Sequence, residues 1–372
     1  MSKHKKIPLS TPHMSDEGYE RQFVEEAFNS NWIAPLGPMV DAFEHEIIKY
    51  IGSKYAVALS SGTAGIHLSL KAVGVKQGDI VFCQSLTFSA SANPIIYEKA
   101  IPVFIDSDEE TWNMSPRYLE EAFKKYPNVK AVMVVHLYGI PANLDKIVAL
   151  CKKYNVPLIE DAAESLGSTY KGNHTGTFGK FGILSFNGNK IITTSSGGMV
   201  ISEDKEAIEK MRFWATQARD KARHYQHSEL GYNYRMSNVS AAIGRGQLKV
   251  LDQRIKRRRE IFDLYKIGFS KNLYIKLMPA NSKDSFSNCW LSSITLSDSK
   301  KVIPLIEYLE KFKIETRPLW KPMHLQPFFQ AYKFVGDMTS DCLFNHGLCL
   351  PSDSKLLDKD IRFVISKVNE FF

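Results

Sequence analysis

Long apolar runs are what this chain most plainly lacks. Its longest, such as Ala131 to Val135, fall far short of a bilayer span, which takes about 20 apolar residues in a helix. No membrane insertion is therefore expected. Cysteine is also sparse: Cys83, Cys151, Cys289, Cys342 and Cys349 are scattered, odd in number, and form no CxxC pair. That pattern argues against a disulfide framework and a zinc site, and for a reducing cytoplasm. The basic opening MSKHKKIPLSTPHM is not followed by an apolar segment, so no secretory signal is expected. Proline and glycine are too few to suggest disorder, and no repeat or low-complexity tract is visible.

What remains is the composition of a soluble globular protein, with 44% hydrophobic and 24% charged residues. A length of 372 residues exceeds what one core usually serves, so two domains are expected. The net charge of +8 is compatible with nucleic acid, a membrane surface or a small anionic substrate. Its densest run is Arg254, Lys256, Arg257, Arg258 and Arg259, in a helical pattern with Leu251, Ile255, Ile261, Phe262 and Tyr265 on other faces. This reads as a solvated helix face. No nucleic-acid motif accompanies it, so nucleic acid is not an expected partner.

From about 55 to 200, short apolar runs alternate with helical patterns. Tyr55 to Leu59, Ile80 to Cys83, Pro102 to Ile105, Ala131 to His136, Pro157 to Glu160 and Ile183 to Phe186 read as buried strands. Pro116 to Lys125 and Leu144 to Tyr154 read as helices between them. The rhythm predicts βαβ units, an α/β fold and a mostly parallel sheet, with Met199 to Ser202 as a further strand. Residues 203 to 266 read mainly as helix, interrupted at 224 to 238. Beyond 270 a strand at Trp290 to Leu296, a helix at Val302 to Phe312 and a last helix from Asp358 suggest a smaller α+β domain. The division expected is 1–255 for an N-terminal arm and large domain, and 256–372 for the small domain.

Three segments carry chemistry. Ser60-Ser61-Gly62-Thr63-Ala64-Gly65 follows a strand and opens a helix near Ile66. Small residues there let N–H groups approach an anion, although an ordinary well-capped turn would look the same. Glu160, Asp161 and Glu164 end the apolar strand before them, where open α/β sheets place ligands. Asp161 could hold a buried cation or a protonated ring nitrogen there, or cap a following helix. Lys190 ends the turn Ser185-Phe186-Asn187-Gly188-Asn189, between two strands and among small hydroxyl and glycine residues. A phosphate cradle, an acid for a ring nitrogen and an amine for an aldehyde are the three things that pyridoxal 5′-phosphate (PLP) requires. Phe88, in Thr87-Phe88-Ser89-Ala90, offers a flat surface for its ring.

With those residues in view, the chain resembles the DegT/DnrJ/EryC1/StrS family of PLP-dependent sugar aminotransferases along nearly its whole length. The stretches that carry the likeness are SNWIAPLGP, SSGTAGIHLSL, VFCQSLTF, PVFIDSDEETWNMSP, IEDAAESLG, SFNGNKIITTSSGGM, GYNYRMSN, ETRPLWKPMH and CLPS. The resemblance implies fold type I, as in aspartate aminotransferase, with a large domain of mostly parallel mixed sheet between helices and a smaller C-terminal α+β domain. It implies that Lys190 carries PLP as an imine and that Asp161 partners the pyridine nitrogen. It assigns Gly62, Thr63 and Ser185 to the phosphate, Phe88 to ring stacking and Glu164 to the neighbourhood of the phenolic oxygen. Asn233 matches a phosphate ligand that relatives supply from the neighbouring subunit, which implies a homodimer with shared sites. Asn31, Trp32, Ile33, Ala34, Arg235, Arg317 and His324 fall where relatives line the sugar-nucleotide site. Structural roles are also open for some of these: tying the small domain together for Arg317 and Trp320, a hydrogen-bonded histidine for His324, and packing for Tyr232 and Tyr234.

The likeness is to the branch that aminates UDP-linked 4-keto-6-deoxy-N-acetylhexosamines, including bacillosamine-pathway transaminases. Glutamate is the implied amino donor, and a surface polysaccharide or glycoprotein glycan the implied destination. Two residues depart from the wider pattern. Glu164 stands where many relatives have Gln or His, and Ser196 where Glu is common. Rival readings are amination at C3, a GDP- or dTDP-linked substrate, and a PLP-binding regulatory protein without turnover.

Overall fold

The computed structural model describes residues 5–280 and 282–372; the first four residues of the basic opening, and Asn281, lie outside the described residues. In chain order the first half runs α1 (Tyr19–Asn29), α2 (Pro38–Ile51), β1 (Tyr55–Leu59), α3 (Gly62–Ala72), β2 (Ile80–Gln84), α4 (Ser89–Tyr97), β3 (Ile101–Ile105), α5 (Pro116–Lys125), β4 (Val129–Val135), α6 (Leu144–Lys153) and β5 (Leu158–Asp161). Then follow β6 (Thr169–Tyr170), β7 (Asn173–His174), β8 (Phe181–Ser185), β9 (Gly198–Ser202), α7 (Lys205–Ala215), α8 (Asn238–Leu248) and α9 (Leu251–Gly268). The last part holds β10 (Ile275–Leu277), β11 (Ser285–Phe286), β12 (Ser292–Leu296), α10 (Val302–Glu310), β13 (Arg317–Pro318), β14 (Lys333–Val335), α11 (Thr339–His346), β15 (Gly347–Leu350) and α12 (Asp358–Phe371).

Eight strands form the main sheet in the order β1-β9-β8-β5-β4-β2-β3-β14. From β8 to β14 every neighbouring pair is parallel, whereas β9 runs antiparallel to both β1 and β8. Helices cover both faces, so strands such as Val81-Phe82-Cys83 and Ala131 to Val135 are buried throughout. That burial is why they read as unbroken apolar runs rather than alternating ones. A second sheet, β10-β12-β15-β13, is antiparallel. It shares a core with α9, α10 and α12 through Ile261, Tyr265, Leu305, Leu348, Ile361 and Val364.

Several details differ from the sequence reading. The helix after β1 begins at Gly62 rather than near Ile66, because Ser61 Oγ accepts from Ala64 N at 3.1 Å and caps it there. The break in the helical region spans 216–237, wider than 224–238. Gln217 and Ala218 have φ of 60° and 51°, and the backbone at 214–217 hydrogen-bonds to Tyr232 instead of continuing the helix. The 255/256 division falls inside α9, and two segments cross it: β14 pairs with β3 in the large sheet, and Ile7 packs in the core of the small one.

The basic run is not a solvated face. Arg254 and Arg258 are buried, and only Lys256 is fully exposed. Arg258 donates to Trp290 O and to Ser10 Oγ, Arg254 to His13 O, Arg257 to Leu356 O and Arg259 to Ser287 O. The guanidinium groups satisfy carbonyls that irregular chain leaves unpaired. Burial lowers the Arg258 pKa to about 10.

Candidate active site

The C-terminal ends of β5 and β8, the N-terminus of α3 and the turn before α4 surround a cavity of about 250 Å3. The strand order places them together. β1 and β8 flank β9, so the turn that leads from β1 into α3 comes to lie against the end of β8. The approach is close: a Cβ on Gly198 would sit 2.3 Å from Gly62 N, and one on Gly62 would sit 3.2 Å from Ser185 Cβ. Only glycine fits at position 198. Gly62, Thr63, Phe88, Asp161, Glu164, Ser185 and Lys190 all line the cavity.

Asp161 is 5% exposed. Its Oδ2 accepts from Ser91 Oγ at 2.6 Å, and Thr87 Oγ1 lies 2.7 Å from the same Ser91 hydroxyl. Its Oδ1 accepts from Ala163 N at 3.1 Å, which closes a turn; no helix starts there. Lys190 Nζ lies 3.2 Å from Glu164 Oε1 and 4.4 Å from the centre of the Trp290 ring. Glu164 Oε2 accepts from Tyr138 N at 2.7 Å. Burial is the largest influence on Glu164 and raises its pKa to about 7 against the lowering effects of Lys190 and the Tyr138 N–H.

Phe88 keeps 56% of its surface exposed, although it borders the cavity and leans on Trp320 at 5.4 Å between ring centres. A large flat ring left bare beside a cavity is a surface on which another ring can stack. The first turn of α3 also faces the cavity, and helix N-termini attract phosphate. Lys190 offers an amine and Asp161 a buried, pre-oriented carboxylate. These residues fit PLP, which has an aldehyde, a ring nitrogen and a phosphate.

Other residues singled out in the sequence lie elsewhere. Asn31 to Ala34 form an exposed loop, with Trp32 Nε1 donating to Leu36 O. Asn233 is exposed and bridges to Thr216; Arg235 bridges to Leu59. Arg317 pairs with Glu315 at 2.9 Å. His324 is held by Ser85 Oγ at 2.7 Å and Asp341 Oδ2 at 3.0 Å and stacks on Phe334; burial lowers its pKa. None of these residues lines the cavity of its own chain. Conversely, the sequence reading passed over Ser91, Tyr138 and Trp290. Ser91 is three residues past Phe88 and carried a weak signal as a hydroxyl in the first turn of α4. Trp290 lies 100 positions from Lys190 and carried none.

An open sheet with an amine, a carboxylate and a helix N-terminus at its carboxyl edge defines the class: a PLP enzyme of fold type I. The comparison with known proteins takes this further. The chain belongs to the DegT/DnrJ/EryC1/StrS aminotransferase family, whose sequence model matches residues 15–369. Members are PLP-dependent, and PLP is the cofactor. The chain is 53% identical to EpsN of Bacillus subtilis (strain 168), named as a pyridoxal phosphate-dependent aminotransferase, over 99% of this chain and 96% of EpsN. It is 38% identical to GDP-perosamine synthase of Escherichia coli O157:H7 over 99% of both chains. It is 35% identical to the UDP-4-amino-4,6-dideoxy-N-acetyl-beta-L-altrosamine transaminase of Campylobacter jejuni subsp. jejuni serotype O:23/36 (strain 81-176) over 88% of each. Among solved structures, the aminotransferase TlmJ from Streptoalloteichus hindustanus superposes with a TM-score of 0.92 at 30% identity over 99% of both chains. Helicobacter pylori PseC shares the fold, with a TM-score of 0.93 at 23% identity over 99% of each chain. The protein is thus a sugar aminotransferase of this family. No helix among the described residues is long and apolar enough to cross a membrane.

Proposed function

We propose that the protein transfers an amino group from glutamate to C4 of a UDP-linked 4-keto-6-deoxy-N-acetylhexosamine, for the assembly of a surface glycan in the cytoplasm. The observation that carries amino transfer is Lys190 and Asp161 on one cavity, with Glu164 beside the lysine. PLP, when bound, acts as an electron sink that lets an amino acid's α-carbon lose and regain a proton. Lys190 Nζ would hold the cofactor aldehyde carbon and, once displaced by the donor amine, move the proton at the donor α-carbon. Asp161, aimed by Ser91 and Ala163 N, would keep the ring nitrogen protonated. Gly62, Thr63 and Ser185 would bind the phosphate, and Phe88 would pack on the ring. Trp290 and Trp320 would help to exclude water from the lysine.

Asn233 is exposed and outside its own cavity, which suits a residue that reaches the partner's phosphate in a homodimer. Asn31 to Ala34, Arg235, Arg317 and His324 would act on the sugar nucleotide or support the walls around it. The UDP preference rests on the NWIAP and RPLWKPMH stretches. The 38% identity to GDP-perosamine synthase supports a second reading with a GDP-linked keto-sugar. The +8 charge suits either diphosphate.

Product analysis after incubation with glutamate and UDP-, GDP- and dTDP-linked keto-sugars tests both. Amination of the UDP sugar alone is expected. Amination of only the GDP sugar would replace the first reading with the second, and absence of any half-reaction with glutamate would leave a regulatory protein. Lys190→Ala should lose the absorbance of lysine-bound PLP and all transfer. Normal transfer by that variant would remove Lys190 from the mechanism.

A further inference from the structure

Glu164 and Lys190 form a pair whose two sides are held very differently. The carboxyl group is 4% exposed and the lysine side chain 12%. Glu164 Oε2 takes the Tyr138 N–H at 2.7 Å, while Oε1 faces Lys190 Nζ at 3.2 Å. The first donor cannot leave. Tyr138 is held in the left-handed region, at φ 54°, followed by Gly139 at φ 91°, and a Cβ on Gly139 would strike Asn288 Oδ1. Asn288 Nδ2 in turn clamps the backbone by donating to Glu164 O and Leu166 O. Lys190, by contrast, meets the carboxylate through a single side-chain contact on the cavity side.

Four titratable groups act on this carboxyl: Lys190 from the turn after β8, Asp161 from the end of β5, the Tyr138 phenol from the turn after β4, and the Cys349 thiol from β15. Burial pushes the phenol well above its ordinary range and the thiol up to about 11, so both stay neutral. Asp161 opposes ionisation of Glu164, and Lys190 is the one cation of the four. Without that cation, burial and Asp161 act against a single N–H.

We propose that Glu164 is the proton store of Lys190: it takes the ammonium proton when the lysine nitrogen becomes committed to the cofactor aldehyde, and returns it when the amine is set free. The inference rests on the reading of Lys190 in the proposed function. Transfer across the pair breaks one N–H bond and forms one O–H bond, so –NH3+ and –COO− become –NH2 and –COOH with no change in total charge. Condensation of the amine with an aldehyde expels the two remaining N–H protons in one water molecule. The third stays on Glu164, whose side chain is buried from solvent. Glu164 is then a neutral acid whenever Lys190 is covalently occupied, and a carboxylate when the ammonium returns.

Infrared difference spectra against pH, recorded on the full chain before and after loading with PLP, test this. A buried carboxylic-acid band, absent in Glu164→Gln, should persist to a pH at least about one unit higher after loading than before. Cofactor-free Lys190→Ala should show the same upward displacement, since it removes the cation without any PLP chemistry. An acid band that titrates identically in all three states would overturn the proposal. A second measurement separates proton storage from scaffolding. Glutamine keeps an acceptor for the Tyr138 N–H, so a purely structural Glu164 would be rescued by it. Instead, capture of added PLP, followed by absorbance, should strengthen about tenfold per pH unit near neutrality in Glu164→Gln, where the wild type is nearly flat, because the proton that Glu164 kept must then go to solvent. A wild-type profile in that variant overturns proton storage. Retention of the lysine-bound absorbance in Lys190→Ala would overturn the proposed function itself.

Discussion

Asp161 shows how much a single side chain depends on its supports. Both carboxylate oxygens already accept hydrogen bonds, from Ser91 Oγ and Ala163 N, so the group is oriented before any ligand arrives. Preorganised charge of this kind is worth more than the same charge in water, because nothing has to reorient during reaction. Asp161→Asn keeps the shape and one acceptor but removes the charge. We expect the half-reaction with glutamate to slow by roughly 10²-fold, about 3 kcal/mol on the barrier, with little loss of fold. Stopped-flow absorbance of the bound cofactor would measure it. A near-normal rate would reduce Asp161 to the turn-closing role that its bond to Ala163 N already performs.

Among the elements, the arm before α1 has the most unexpected position. Thr11 and His13 both bind Asp353, Ser10 Oγ accepts from Arg258, and Arg254 and Gln247 donate to His13 O. The arm thereby ties the loop before α12 to α8 and α9. It also reaches the site, because Ser10 Oγ donates to Asn189 O at 3.2 Å, beside Lys190. Burial alone would raise the Asp353 pKa, but hydrogen bonds from His13, Thr11 and Lys355 N outweigh it and hold the carboxyl below the usual carboxylate range. The consequence for stability has a definite sign. A depressed folded pKa contributes stability above the unfolded value of about 3.9, and that contribution is lost as pH falls toward the folded value. Asp353→Asn should remove it at neutral pH. We expect a loss of about 1–3 kcal/mol from the broken charge-assisted bonds, with faster amide exchange at residues 7–15 and at 187–190. Unchanged exchange in both segments would show that the arm is not fastened by this carboxylate.

At the scale of the whole molecule, the proposed homodimer makes a testable demand. A twofold interface places the same loop over both cavities, and the Gly231-Tyr232-Asn233-Tyr234-Arg235 stretch is the candidate loop. Asn233→Asp would set a negative charge against the partner's phosphate and weaken cofactor binding. Mixing inactive Lys190→Ala with inactive Asn233→Asp subunits should then restore about half of the wild-type activity per mixed dimer, since one site collects both defects and the other none. If subunits exchange, as shown by mass tags, and no activity returns, Asn233 acts within its own chain.

The βαβ rhythm was legible because parallel strands covered on both faces are written as continuous apolar runs. Lys190, Asp161 and the Gly62-Thr63 turn were legible for a related reason: each stands at the end of a strand or within a few residues of it, and an open sheet gathers such ends at one edge. The three-residue β14 was not, since its place depends on β3 more than 200 positions earlier. The burial of Arg254 and Arg258 was hidden as well. Local pattern presents them as solvated charge, and only distant acceptors, the Ser10 hydroxyl and the His13 and Trp290 carbonyls, make their burial tolerable.

The amino-acid sequence by itself determined which segments become strands and helices, and which side chains stand at the strand ends. Those properties follow from neighbours within a few residues, through periodicity and capping. Only the tertiary structure decided that Trp290 covers Lys190, that the arm fastens to Asp353, and that Glu164 sits at the edge of protonation near neutral pH. Burial and electrostatic energy sum over atoms brought together from remote parts of the chain, and that sum exists only once the chain has folded.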